Sequence, residues 1–306
     1  MALQDSRDEY TRRMHRVLEH IDRCLDETLE LPALADVAHF SPFHFHRLFA
    51  AWMGETLGDY VRRRRLETAA LRLLAQPEVP VLHIALGVGF GSTEAFARAF
   101  KTRFGMTASN WREARAGRHS NPGQAPGNPD QAPSTGGAQH GHSPFNPESV
   151  MQVTVVERPA VTIAYMRHIG PYGAPISEFW QHTFAPWMMT HNLMGQVRYG
   201  ISHDDPEISA PEKCRYDAAV EIAPGSTAPP PALTTTLAGG KFACTRYKGN
   251  GSDIGQYWKA MLRDWLPASG MQLDGRPFFE YYPLDASYDP QTGVFECDIC
   301  IPVVSL

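Results

Sequence analysis

No uninterrupted apolar run in this 306-residue chain approaches the ~20 residues that a membrane-spanning helix requires. The opening segment, Met1 to Glu9, is charged and lacks the apolar core of a secretory signal. Cysteine is scarce: Cys24, Cys214, Cys244, Cys297 and Cys300 are too few and too scattered for a disulfide framework. These absences predict a reduced, cytoplasmic protein with no membrane partner. P-loop and dinucleotide fingerprints are also missing, so no cofactor is expected. Metal sites are not expected either. Cys297 and Cys300 have CxxC spacing, but in an expected strand positions i and i+3 face opposite sides, and no second ligand pair accompanies them. His44 and His46, two apart on a helix, diverge by ~200° and cannot chelate together. No catalytic residue is assigned.

What is present divides the chain. Its length predicts about two domains. Residues 1–118 hold 17 Lys+Arg against 15 Asp+Glu, a balance of +2, whereas the remainder holds 11 against 18, or −7. The halves therefore suit different partners, a polyanion for the first and cations or another protein for the second. Between Gly117 and Ser149 lie six glycines and six prolines, with Phe145 the one large apolar residue. Such a stretch reads as a flexible linker, and its His140 and His142 lack the company a metal site needs. The expected boundaries are 1–116, 117–149 and 150–306.

The first part is helical in pattern. Tyr10, Met14, Val17, Leu18, Ile21 and Leu25 form one apolar stripe on a helix expected over Arg7–Glu27. A repeat of about 50 residues follows: Leu34–Phe40 aligns with Ile84–Phe90, then Ser41–Phe49 with Ser92–Phe100. Each unit has the parts of a helix-turn-helix. Ala35 and Ala85 are small enough for a tight helix crossing. Gly89, and His39 in its place, suit a left-handed turn. Ser41 and Ser92 are N-caps, with Pro42 at the first helical position. Phe45, Phe49, Phe96 and Phe100 face inward at i, i+4 spacing. A long helix over Leu57–Ala75, bearing Arg62 to Arg65, connects the units, and at least half of that arginine block is expected to be a solvated face.

With its two Phe-x-Arg-x-Phe phrases, the stretch Gly54–Leu66, and Gly89-Phe90-x-Ser92, this region resembles the AraC/XylS-type transcriptional regulators over residues 8–115. Thr107-Ala108 stands where that family usually has a proline. The resemblance implies that each second helix enters a major groove of double-stranded DNA, one duplex turn (about 34 Å) apart. Phe43, His46 and Arg47 would then contact bases in one segment, and Thr93, Glu94, Ala97 and Arg98 in the other. Ser41, Ser92 and their helix N-termini would meet phosphates. The competing reading of Arg47 and Arg98 is structural ion pairing. Their matching positions in the two units favour DNA.

After the linker the pattern becomes α+β. Strands are expected over Gln152–Val156, Val161–Arg167, Val197–Ser202 and Tyr216–Ile222, mixed with two aromatic-rich helices. A second repeat aligns Arg167–Gly170, Trp180 and Trp187 with Arg246–Gly249, Trp258 and Trp265, and Tyr216–Ile222 with Phe295–Ile301. The fold expected is therefore an all-α domain with two helix-turn-helix units joined by a long helix, then an α+β domain built from a duplicated strand-helix-strand-strand unit. Gly170-Pro-Tyr172, Asp205-Pro206, Arg215-Tyr-Asp217 and Phe279-Glu280-Tyr281-Tyr282 make this second domain resemble the GyrI-like effector-binding domains.

On a strand Glu280 and Tyr282 share one face, opposite Phe279 and Tyr281. A carboxylate among aromatic rings suits a lipophilic cation, and the resemblance implies that use of Glu280. Tyr172, Trp180, Tyr199, Trp258 and Tyr282 are the expected walls. The bland alternative is a Glu280 paired with one of the domain's own arginines. The whole chain then reads as a ligand-responsive transcription regulator with DNA, a small-molecule effector and RNA polymerase as partners. Across a flexible linker, the expected routes for the signal are docking of the two domains, relief of mutual occlusion, or altered contact with RNA polymerase. Two rivals stand beside this reading: a GyrI-like hydrolase that uses Glu280 with a tyrosine, and a module that masks a partner protein.

Overall fold

The computed structural model describes residues 2–116 and 151–306. The expected linker, with His140 and His142, lies outside the described residues. The first region is entirely helical: α1 Ala2–Arg23, α2 Leu31–Val37, α3 Pro42–Met53, α4 Leu57–Ala75, α5 Val81–Gly87, α6 Thr93–Phe104 and α7 Ala108–Ala116. Helix α1 ends at Arg23, short of the expected Glu27, where a turn follows. Two cores form on either side of α4. Met14, Val17, Leu18 and Ile21 of α1 pack with Phe45, Phe49 and Tyr60. Leu66, Ala69, Ala70 and Leu73 pack with Phe96, Phe100 and Trp111. Thr107, in place of the family's usual proline, accepts a bond from the Asn110 N–H at 3.2 Å and so caps α7.

The second region is a mixed sheet-and-helix fold with every strand pair antiparallel. Its strands are β1 Val153–Arg158, β2 Val161–Ile169, β3 Arg198–Ser202, β4 Arg215–Glu221, β5 Leu233–Leu237, β6 Gly240–Gly249, β7 Met271–Leu273, β8 Phe278–Tyr282 and β9 Phe295–Ser305. They run in the order β1-β6-β9-β8-β3-β4-β2-β5, with β7 added beside β9. Two helical stretches cover one face. One runs through α8 (Ala174–Phe179), a π-helical turn at Trp180–Phe184 and α9 (Ala185–Thr190). The other runs through α10 (Ile254–Ala260) and a second π-helical turn at Met261–Trp265. Period-two alternation sorts the strand residues between the faces. Tyr216, Ala218 and Val220 lie under α8 and α9 with Phe184 and Met188. Ala219, Tyr199, Phe279 and Cys300 pack on the opposite face. Cys297 and Cys300 accordingly sit in different cores, and all five cysteines are free thiols.

The helical region packs on the helix-free face of the sheet near β2 and β4. Glu19 of α1 accepts bonds from the Tyr165 and Thr235 hydroxyls, both at 3.0 Å. His15 is buried, and desolvation together with the Arg167 charge lowers its pKa to about 4. Of the Arg62–Arg65 block only Arg62 is exposed, which corrects the expectation that half or more would be solvated. Arg63 pairs with Glu55 and Glu67, Arg64 is buried among Asp22, Glu67 and Asp204, and Arg65 donates to the Leu25 and Glu27 carbonyls. The reason is geometric: four consecutive helical residues point in four directions, and here three of them meet other elements.

Phe96 is fully buried, stacked edge-on against Phe90 at 5.3 Å between ring centres. Phe96→Ala is expected to lower stability by about 3–5 kcal/mol through lost contacts and a residual cavity, measured by urea unfolding.

Candidate DNA interface and effector pocket

Two short connections shape the two helix pairs. His39 adopts φ 54° between α2 and α3, and Gly89 adopts φ 87° between α5 and α6. Gly89 has a further reason to be glycine: a Cβ there would overlap the Leu25 carbonyl and the Arg65 guanidinium. Ser41 Oγ accepts from the His44 N–H at 3.4 Å, and Ser92 Oγ from the Ala95 N–H at 3.2 Å, so both serines cap the helices they precede. Gly54 and Gly105 end α3 and α6 in left-handed conformations.

These caps settle which faces turn outward. Phe45, Phe49, Phe96 and Phe100 are buried, while Phe43, His46 and Arg47 on α3 and Glu94, Ala97 and Arg98 on α6 are exposed. Thr93 is half-buried. Phe43 is 68% exposed, which nothing in the packing of this region explains, and the Arg47 guanidinium lies 5.8 Å from its ring centre. Among the described residues neither Arg47 nor Arg98 makes an ion pair. Arg103, one turn beyond Arg98, instead reaches Glu67 at 3.6 Å.

A second site lies at the middle of the sheet. Gly200 of β3 pairs directly with Glu280 of β8. A Cβ on Gly200 would overlap Glu280 Oε2 and the Tyr216 hydroxyl, so only glycine leaves room for the pair. Both Tyr216 and Tyr282 donate to Glu280 Oε2 at 2.9 Å, and Trp180 Nε1 donates to the Tyr216 oxygen at 3.0 Å. The Trp180 and Tyr282 rings stand 5.8 Å apart, and Tyr172 lies edge-on to Tyr216 at 6.3 Å. Burial raises the Glu280 carboxyl above its ordinary 4.5, partly offset by the Tyr282 and Tyr216 hydrogen bonds. Glu280 forms no ion pair among the described residues.

Expected walls thus divide. Glu280, Tyr282, Trp180 and Tyr172 come together. Trp258 stacks on Phe278 at 5.9 Å in the cluster against which Tyr282 also packs, whereas Trp180 and Tyr172 belong to the adjoining one. Tyr199 is a correction: it faces the other side of the sheet, donating to Glu221 at 2.5 Å, because its neighbour Gly200 is the residue opposite Glu280. Sequence reasoning missed Tyr216, although the phrase Arg215-Tyr-Asp217 contained it. Alternation along β4 turns Tyr216 away from its two charged neighbours. It also missed Gly200, and Arg198, whose guanidinium lies 5.7 Å from the Tyr282 ring centre.

Comparison with known proteins matches the two regions of the chain to two families. A GyrI-like small-molecule-binding domain corresponds to residues 151–304, half of the chain, and a helix-turn-helix domain to residues 34–114. The regulatory protein SoxS of Escherichia coli K12 is 36% identical over 92 residues, 30% of this chain and 85% of SoxS. This chain belongs to the AraC-type regulators with a GyrI-like domain. The transcriptional regulator Rob of Salmonella typhimurium is 26% identical over 299 residues, covering 91% of this chain and 93% of Rob. A solved AraC-type regulator from Chromobacterium violaceum is 24% identical and covers 36% of this chain and 95% of its own, with a TM-score of 0.32. The protein is therefore a DNA-binding transcription regulator with a small-molecule-binding domain. No helix among the described residues is long and apolar enough to cross a membrane, and no group of three or more His, Cys, Asp or Glu among them could hold a metal.

The Glu280 cluster has a pH signature. Because burial raises the Glu280 pKa, its ionisation opposes folding: the associated stability is present below the unfolded value and lost as pH rises through the folded one. Glu280→Gln, neutral throughout, is expected to exceed wild type in stability at pH 7, with the gap closing below pH 4.5. Denaturant unfolding at both pH values checks this, and an undiminished gap in acid would contradict it.

Proposed function

We propose that this AraC-type regulator binds a bipartite DNA site with α3 and α6 and takes a lipophilic cation at Glu280. For the first element, Phe43, His46 and Arg47 contact one base segment, Thr93, Glu94, Ala97 and Arg98 the other, and the capping Ser41 and Ser92 face phosphates. The observation that supports this is the exposure of Phe43, Arg47 and Arg98, with neither arginine in an ion pair among the described residues, on helices whose opposite faces are buried. In this reading α4 joins the two units and keeps their spacing. The working boundaries are 1–116 for DNA, 117–149 for the connection and 150–306 for the effector. The effector domain is taken as a duplication, with β3 and β8 as equivalent strands meeting at the Gly200–Glu280 pair. RNA polymerase is the further partner that regulation implies.

For the second element, the support is a buried carboxylate surrounded by Tyr216, Tyr282 and Trp180 and left without an internal cation. Both tyrosine hydroxyls use Oε2, so Oε1 is the oxygen left to meet a charged ligand, while the rings supply cation–π attraction. Arg198, on the same face of β3, limits the room for the cation on the Tyr282 side. The same raised carboxyl beside tyrosine hydroxyls is what a hydrolase would need. Turnover of a reactive small molecule, abolished in Glu280→Gln, would replace the binding-only reading.

Selection of genomic fragments by the full-length protein, followed by footprinting, tests the DNA element: two protected major-groove segments about one turn apart are expected. On the selected site Arg98→Ala should cost ~1–3 kcal/mol and relax preference at one base position. Equal weakening on every sequence would make Arg98 a phosphate contact. For the pocket, Glu280→Gln should weaken tetraphenylphosphonium ~30-fold or more, with little change for neutral triphenylphosphine oxide. Equal effects on both would remove the charge-based reading.

A further inference from the structure

The connection between β3 and β4, residues 203–214, makes contacts that a surface loop does not need. Asp204 is buried and accepts from Arg64 Nη1 of α4 at 2.5 Å, and from the Arg215 main-chain N–H and Nε at 2.9 and 2.8 Å. Arg215 also pairs with Asp22 of α1, which Arg64 Nε reaches at 3.2 Å. Burial would raise the Asp204 carboxyl, but the Arg215 and Arg64 charges more than offset this and hold it below the usual range. Ile208 is buried in the core formed by α4, α5, α6 and α7, the one that holds Phe100 and Trp111. Its carbonyl accepts from Arg103 of α6 at 3.4 Å. Lys213 donates to the Met53 carbonyl at the C-terminal end of α3 at 2.5 Å and pairs with Glu55 at 3.2 Å. One twelve-residue segment therefore touches α4 and the C-terminal ends of both α3 and α6, and the adjoining Arg215 reaches α1.

The same segment is tied to the pocket. The Tyr172 hydroxyl donates to the Arg215 carbonyl at 2.7 Å and accepts from the Asp204 N–H at 3.3 Å, while its ring lies against Tyr216. On β4, Arg215 points to the helical region and the next residue, Tyr216, points to Glu280. A ligand that moves Tyr216 or the Tyr172 ring must move the groups that hold Arg215 and Asp204.

We propose that residues 203–214 form a wedge that positions α3 and α6 relative to each other, and that Tyr172 transmits occupancy of the pocket to this wedge. The transmission arm rests on the pocket reading above; the positioning arm does not. Asp204, Ile208 and Lys213 are then positioning residues for DNA recognition, although none of them lies on an exposed face of α3 or α6. Buried ion pairs suit this task, because their desolvation cost leaves little net stability while their geometry favours one arrangement.

The test uses the full chain and the DNA site that it selects from random duplexes. Wild type is compared with Ile208→Ala and Lys213→Ala on that site and on versions whose two segments are one base pair closer or farther apart. Wedge loss should weaken the native spacing on the order of tenfold while the altered spacings change little, so that spacing discrimination collapses. A purely structural role would instead weaken all three spacings equally or leave all three unchanged, and either result overturns the positioning role. Lys213→Ala removes only a rim contact, so it remains informative if Ile208→Ala unfolds. In the second arm, Tyr172→Phe keeps the ring and removes the hydroxyl. With both proteins saturated by tetraphenylphosphonium, as Trp fluorescence titration of each verifies, it should lose the shift in DNA affinity that the cation produces in wild type. A retained shift overturns the Tyr172 route, as does a wild type that binds the cation with no shift at all. A wild type that does not bind the cation overturns the pocket reading and the transmission with it, while spacing discrimination still decides the positioning role of the wedge.

Discussion

Four charges, Asp22, Arg64, Asp204 and Arg215, meet where the helical region packs against the sheet, and the arrangement of the two regions depends on them. Within this set each arginine faces both carboxylates and each carboxylate both arginines, and Arg64 reaches Glu67 as well. Removing any one member would leave a charge with little water and too few partners, which is far more costly than the net gain from the set. The network therefore selects one docked arrangement more than it adds to overall stability. Its neighbours extend it with hydroxyl and apolar contacts: Tyr165 and Thr235 donate to Glu19, and Ile208 sits in the second helical core.

The sheet makes this docking compatible with a ligand site. A strand presents alternate residues to its two faces, so β4 gives Arg215 and Asp217 to the charged side and Tyr216 to the aromatic side without any irregularity. Asp217 holds Arg167 at 2.7 Å and His203 at 2.6 Å on the charged side. Across the sheet, Gly200 leaves the volume in which the Glu280 carboxylate and the Tyr216 hydroxyl meet. The cation site proposed for Glu280 would need an acceptor held ready before the ligand arrives, and two tyrosine hydroxyls on one carboxylate oxygen would hold it so.

Much of the helical region was legible because its signals are local. Ser41, Ser92, Pro42 and Gly89 act within a few residues of themselves, and the i, i+4 phenylalanines fall on one face by helix geometry alone. Glu280 and Tyr282 were legible for the same reason, since strand alternation needs no knowledge of the partner strand. Tyr199 failed because pocket membership depends on register: β3 pairs with β8 so that Gly200, not Tyr199, stands opposite Glu280. The arginine block failed for a related reason. Whether Arg63, Arg64 or Arg65 meets solvent depends on Glu55, Asp22, Leu25 and Asp204, which the chain brings together from separations of 8 to 140 residues.

By itself, then, the sequence determined the helix pairs, their caps and turns, the outward position of Phe43, Arg47 and Arg98, and the presence of an acidic, aromatic strand. These follow from steric and hydrogen-bonding rules that act over one or two turns. Only the tertiary structure decided that Tyr216 and Gly200 meet Glu280, that Arg64 is a buried partner of the second region rather than a solvated charge, and that residues 203–214 reach both α3 and α6. Those outcomes depend on strand register and on the desolvation of charges distant in the chain, and neither quantity is written in any local stretch of residues.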